Sequence, residues 1–191
     1  MKTSSFKKPA LNFLGLLCLS FGLTAVAAPA QAQALQLNGT GIRHQATGPL
    51  YSAGLYLDKR VATFAEVLGS QGAKQLRVVM LRDVSAAEMG DLLSSGVVAN
   101  ASDDELSRLI PALFGLGQIL GEQQTLLAGD SFQFALTLPS STTLSIQAKA
   151  QDQAVRHVFT QPELFGVLLR VWLGDKPADD SLKSALLGNA S

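Results

Sequence analysis

The chain has 191 residues, of which 15 are basic, 15 acidic and 47% hydrophobic, and its one cysteine leaves no internal disulfide to make. It carries no basic stripe and no interleaving of basic and aromatic residues, so nucleic-acid binding has no electrostatic basis. Only two histidines are present, His44 and His157, far apart and without metal-ligand spacing, so no metal site and no cofactor is expected.

The N-terminus reads as a leader. Lys2, Lys7 and Lys8 form a basic start, Leu11 to Ala28 is Leu-rich and almost uncharged, and small-x-small cleavage patterns end at Ala32 and Ala34. Residues 1–34 are therefore expected to be a signal peptide and residues 35–191 a single mature domain in the periplasm or outside the cell. Cys18 follows Leu17, where a lipid-anchor motif needs a small residue, and it leaves with the leader. Loss of the three lysines leaves 12 basic against 15 acidic residues, a net charge of −3. No second apolar run reaches the roughly 18 residues that a membrane-spanning helix needs.

Leu35 to Leu57 reads as strand, turn, strand, closed near Thr47–Gly48. That closure sets Arg43 roughly opposite Tyr51. The arginine is then either solvated on the outer face or directed at an anion on the inner one. His44 points the other way along the strand, as a surface residue. Tyr56 reads as a core aromatic. Val61 to Gly69 is a short helix or turn in which Phe64, Val67 and Leu68 share a face and Gly69 is the stop. Gln75 to Arg82 is rich in Val and Leu and suits a central strand.

Two helices follow, each opened by an S-x-x-E capping box, at Ser85–Glu88 and at Ser102–Glu105. Met89, Leu92, Leu93 and Val97 give the first an apolar stripe; Leu106, Leu109, Ile110, Leu113 and Phe114 give one to the second. Pro111 is expected to kink or split the second helix, and Gly115 and Gly117 to weaken its far end. Strands at Ser131–Leu138, Thr142–Lys149 and Gln153–Phe159 make a meander with short links. Thr160–Glu163 reads as a third capping box before a strongly apolar helix containing Leu164, Phe165, Leu168, Leu169, Val171 and Trp172, with Gly174 just past its end. Trp172 reads as core packing. Asp179 or Asp180 then opens a last short helix through Leu187, closed by Gly188. The order of elements gives an α+β class, a mainly antiparallel sheet with helices packed on one face.

No phosphate-binding loop, dinucleotide fingerprint or nucleophile elbow is present. Arg43 is the side chain with most chemical promise, because guanidinium recognises carboxylate best, and Tyr51 would add a phenol hydrogen bond to the same oxygen.

The chain resembles the chalcone isomerase-like family, specifically its exported bacterial branch. The carriers are N-G-T-G-I-R ending at Arg43 with P-L-Y-S-A-G-L-Y-L around Tyr51 and Tyr56, the junction from Arg77 to Ala86 with the D-L-L-S-S-G-V helix, and Gly129-Asp130. A tail from Trp172-Leu173-Gly174 through Pro177 to Leu186-Leu187-Gly188 completes the set. The resemblance implies an open-faced β-sandwich, with an arginine at the position of Arg43 facing a ligand cleft. The family's plant enzymes cyclise chalcones with further polar partners, and the threonine of the next strand falls at Tyr51. The alignment puts Leu106 and Leu113 where those enzymes have a tyrosine and an asparagine, which argues against cyclisation. Other relatives bind fatty acids. The expectation is therefore a carrier of a small amphipathic acid, its carboxylate on Arg43 and Tyr51 and its tail lined by Leu106, Ile110, Leu113 and Phe114. No catalytic residue is assigned. The alternatives are an isomerase or intramolecular lyase of an unsaturated carbonyl compound, and a structural or partner-binding envelope protein.

Overall fold

In a computed structural model, residues 34–137 and 141–189 are described. The expected leader falls outside them but for Ala34, as do Leu138, Pro139 and Ser140 of the expected meander. The strands among them are β1 (Gln36–Gln45), β2 (Gly48–Leu57), β3 (Lys74–Met80), β4 (Val84–Ser85), β5 (Thr125–Leu126), β6 (Ser131–Thr137), β7 (Ser141–Gln147) and β8 (Val155–Phe159). The helices are α1 (Phe64–Gly69), α2 (Ala86–Asn100), α3 (Asp103–Gly121), α4 (Leu164–Leu173) and α5 (Asp180–Leu186). Six strands form one antiparallel sheet in the order β1-β2-β3-β6-β7-β8, so β3 is indeed internal. The short pair β4–β5, absent from the sequence reading, ties the start of α2 to the end of α3.

Alternation decides which face of the sheet is covered. Ala53, Leu55 and Leu57 of β2, Leu76, Val78 and Met80 of β3, Phe132 and Phe134 of β6, and Leu144 and Ile146 of β7 all point inward and are buried. Their neighbours Ser52, Gln75, Arg77, Gln133 and Thr143 point to the other face, which no helix covers. Tyr56 belongs to that open face, lying half-buried over Gly54 rather than in the core.

The inner face is covered by α4, which is buried nearly all round: Leu164, Phe165, Val167, Leu168, Leu169, Val171, Trp172 and Leu173 are all inaccessible. A helix apolar on every side must be enclosed on every side. It packs on β6 and β7, α2 packs on its far side, and α3 lies against α2. Gly96 of α2 and Val171 of α4 are where the two helices come closest, since a Cβ at Gly96 would stand 2.6 Å from Val171 Cγ1.

α5 lies on β1. The contact depends on Gly39 and Gly41: a Cβ at Gly41 would stand 2.7 Å from the Ala185 Cβ, and one at Gly39 would collide with the Ala185 carbonyl oxygen. A bulge between Leu37 and Gly39 turns Asn38 inward as well. There the buried Asn38 amide donates to the Leu186 carbonyl at 2.8 Å and its oxygen accepts from the Val61 N–H at 2.8 Å.

The helix starts divide. Ser102 and Glu105 form the full capping box, and Thr63 with Glu66 forms another that the sequence reading passed over. Ser85 accepts from Glu88 N–H, but the Glu88 carboxylate pairs with Arg82 at 2.9 Å instead of reaching back. The box expected at Thr160–Glu163 does not form. Glu163 itself is the N-cap, in helical conformation and with no side-chain cap, and its carboxylate turns to Arg108. α3 is not split at Pro111. Pro111 and Ser107 are both exposed, so water can satisfy the Ser107 carbonyl that proline leaves without a donor. Among the described residues no helix is long and apolar enough to cross a membrane.

Gly39→Ala is expected to lower unfolding free energy by about 2 kcal/mol, because α5 must retreat from β1 or strain the bulge. A urea titration followed by circular dichroism measures this as a lower midpoint at unchanged slope.

Candidate ligand-binding site

Arg43 and Tyr51 are a cross-strand pair of the first hairpin, as expected, although the turn lies at residues 46–47 and would by itself set Leu50 opposite Arg43. Both point to the inner face, so the open choice about the arginine falls on the inward side. A second bulge, where the register shifts between Arg43 and His44, lets Leu50 and Tyr51 both turn inward. His44 is exposed, as expected. The hairpin end is fixed by Arg82, whose Nη2 donates to Gln45 at 2.7 Å and to Glu88 at 2.9 Å, tying β1 to α2.

The chemistry gathers on the Tyr51 hydroxyl. Tyr51 is 2% exposed. Its oxygen accepts a hydrogen bond from Trp172 Nε1–H at 3.0 Å and a long, weak one from Arg43 Nη1 at 3.5 Å. The Arg43 guanidinium carbon stands 5.9 Å from the Tyr51 ring centroid. The phenol's own proton has no acceptor among the described residues, and no described carboxylate lies within ion-pair distance of Arg43. Burial pushes the Tyr51 pKa above its ordinary 10, outweighing the opposing pull of Arg43, so the phenol is a donor at neutral pH. One cation and one O–H donor thus stand side by side, half-desolvated and facing inward. The chemistry of that combination suits an oxyanion.

An apolar cavity of about 120 Å³ lies between α2 and α3. Leu93 and Val97 of α2, Leu106, Leu113 and Leu116 of α3, and Leu168 of α4 line it, and Ser94 is the one polar side chain on its wall. Leu106 and Leu113, two of the four residues expected to line a ligand tail, are thus on its wall. Ile110 and Phe114 are not. They are 63% and 67% exposed, because the buried stripe of α3 runs through Leu109, Ala112, Leu116 and Leu120, and a step of one residue rotates a side chain by about 100°. Arg43 and Tyr51 do not line this cavity either. The link between the two places is α4: Leu168 on the cavity wall and Trp172 against Tyr51 are one turn apart on the same helix face, about 6 Å along the axis. Trp172 was expected only as packing. Its hydrogen bond to Tyr51 was not readable without the pairing of distant segments.

Two ion pairs hold α3 against the segment of α4: Arg170 with Glu105 at 2.5 Å and Arg108 with Glu163 at 3.3 Å, the second largely solvated. The hydrogen bond from Arg170, with help from Ser102, pulls the Glu105 pKa from 4.5 down to about 2. A carboxylate depressed on folding stabilises the fold fully above about pH 4.5 and loses that contribution as the pH falls towards 2. Glu105→Gln is therefore expected to lower the melting temperature at pH 7 and to flatten its fall between pH 4.5 and 2; thermal melts of both proteins across that range check it.

The comparisons agree with this architecture. A family model described as chalcone isomerase-like matches residues 24–188. No curated protein sequence matches the chain. Among solved structures, a fatty-acid binding protein from Arabidopsis thaliana has a similar fold, with a TM-score of 0.59 over 81% of this chain and 87% of that one, at 12% identity.

Proposed function

The chain belongs to the chalcone isomerase-like family, and we propose that it binds a small amphipathic carboxylate such as a fatty acid, with Arg43 and Tyr51 holding the head group. The carrying observation is the Tyr51 hydroxyl: it accepts from Trp172 at 3.0 Å, stands 3.5 Å from the Arg43 guanidinium, and has no acceptor for its own proton among the described residues. Arg43 supplies the charge and Tyr51 the second hydrogen bond. The fold shared with a protein named for fatty-acid binding supports the choice of ligand class.

The tail runs along the α4 face from Trp172 towards Leu168 and enters the cavity between α2 and α3. The side chains between the two places must part to admit it. An enolate would suit the same two donors, but Leu106 and Leu113 offer only methyl groups to a second polar atom. A chalcone chromophore should therefore fade no faster with the protein than without it.

The same reading places the chain in the exported bacterial branch, with residues 1–34 cleaved and residues 35–191 working in the periplasm or outside the cell. The intact mass of protein recovered from a periplasmic extract tests this; retention of Met1 to Ala32 would overturn it.

Organic extraction and mass spectrometry of the purified mature protein should release an amphipathic acid near one per chain. Arg43→Ala should weaken rebinding by about tenfold to a hundredfold, and Tyr51→Phe by about tenfold. Leu113→Trp, which fills the cavity, should weaken long-chain acids more than short ones. Unchanged affinity in Arg43→Ala would remove the site.

A further inference from the structure

The open face of the sheet carries a second arrangement, remote from the Arg43 pair. Arg77 of β3 is paired in register with Gln133 of β6, Gln133 with Ser145 of β7, and Ser145 with Arg156 of β8. The four side chains form one straight row on the uncovered face. Three strand spacings separate the two arginine Cα atoms, about 14 Å, a gap that two long side chains span from either end. Between them lies a depression of about 240 Å³, lined by Arg77, Ser131, Gln133, Ser145, Gln147 and Arg156.

The floor of this depression is polar and recessed. Ser131 and Ser145 are 5% and 6% exposed although they belong to the face that no helix covers. Arg77 already leans inward, its Nη2 standing 3.5 Å from Ser131 Oγ. No described carboxylate lies within ion-pair distance of either arginine, and β3, β6, β7 and β8 contain no Asp or Glu at all. A charge on an edge strand has an ordinary use, because it discourages pairing with another sheet. That accounts for Arg156 on β8. It does not account for Arg77, which lies on an internal strand.

We propose that this row is an anion site for a phosphate group: Arg77 and Arg156 close on it from the two ends, and Gln133, Ser145 and Ser131 donate from below. Two fork-shaped cations match the charge and oxygen geometry of a phosphate monoester, and neutral donors beneath them serve the remaining oxygens. The space fits the phosphate and the first atoms of whatever bears it. The group comes either on a soluble molecule or on a lipid headgroup.

The test uses the mature chain, the Arg77→Gln/Arg156→Gln double variant, and Arg43→Ala as a control for the inner site. Inorganic phosphate is titrated while backbone amide resonances are followed, with sodium chloride at matched ionic strength as reference. Saturable shifts centred on Gln133, Ser145 and Arg156 are expected. The double variant should weaken them by about a hundredfold, and Arg43→Ala should leave them unchanged. In parallel, the protein is sedimented with phosphatidic-acid vesicles and with phosphatidylcholine vesicles. Shifts with inorganic phosphate and no sedimentation assign a soluble ligand. Sedimentation with phosphatidic acid alone, lost in the double variant, assigns a lipid headgroup. Equal response to chloride and phosphate with no selective sedimentation overturns the site, as does full binding by a folded double variant.

Discussion

A buried indole N–H must find an acceptor, and in this protein it finds the Tyr51 hydroxyl. Trp172 reaches Tyr51 only if α4 lies flat against the sheet, and α4 lies there because nearly every side it has is apolar. The hydrogen bond then does more than satisfy the indole. It fixes the rotation of the phenol and uses one of its lone pairs. Arg43, held opposite on the neighbouring strand, takes the other. What remains is a proton with no acceptor among the described residues, next to a guanidinium with no described carboxylate within ion-pair distance. A core-packing requirement and the proposed binding device thus share one atom.

The layers follow from the same helix. The sheet has one inward face because α4 covers one face, and α2 and α3 stack outward from α4 rather than onto the sheet. That stacking leaves the cavity between α2 and α3 lined by leucines and valines, with α3 held over it by packing and by the Glu105–Arg170 contact. It also leaves the other face of the sheet open. An uncovered face bearing Arg77 and Arg156 has different chemistry from the covered one: one side holds the Arg43–Tyr51 donor pair at the edge of an apolar interior, the other a row of shallow polar groups.

Much of this was legible in the chain, and the misses have physical reasons. The hairpin and its approximate closure were readable from the turn residues, which brought Arg43 near Tyr51, but the exact pairing depends on a bulge beside Arg43 that the sequence does not announce. Strand alternation and the all-apolar α4 announced the one-sided sheet. The stripe of α3 was drawn too wide on one side: Leu109 is buried and Leu106 and Leu113 are packed against the core as expected, but Ile110 and Phe114 are exposed, and Ala112, Leu116 and Leu120 complete the buried face. The Thr160–Glu163 box failed because the helix starts three residues later, with Glu163 at the N-cap position instead of at the third helical residue. The Trp172–Tyr51 bond spans 121 residues and leaves no local trace. Asn38 was equally silent, since its role depends on a bulge and on the C-terminal end of α5. The row from Arg77 to Arg156 becomes visible only when the registers of four strands are known together.

The most direct measurement compares a fatty acid with the alcohol of the same chain length, using emission from Trp172, the chain's one tryptophan. Trp172 donates to the very hydroxyl that is held to meet the ligand, so occupation of the site must reach its indole. The account predicts a saturable emission change with dodecanoate and a much weaker one with dodecanol, because the alcohol offers no charge to Arg43. Equal affinity for acid and alcohol would contradict it, because neither Arg43 nor Tyr51 would then be reading the head group.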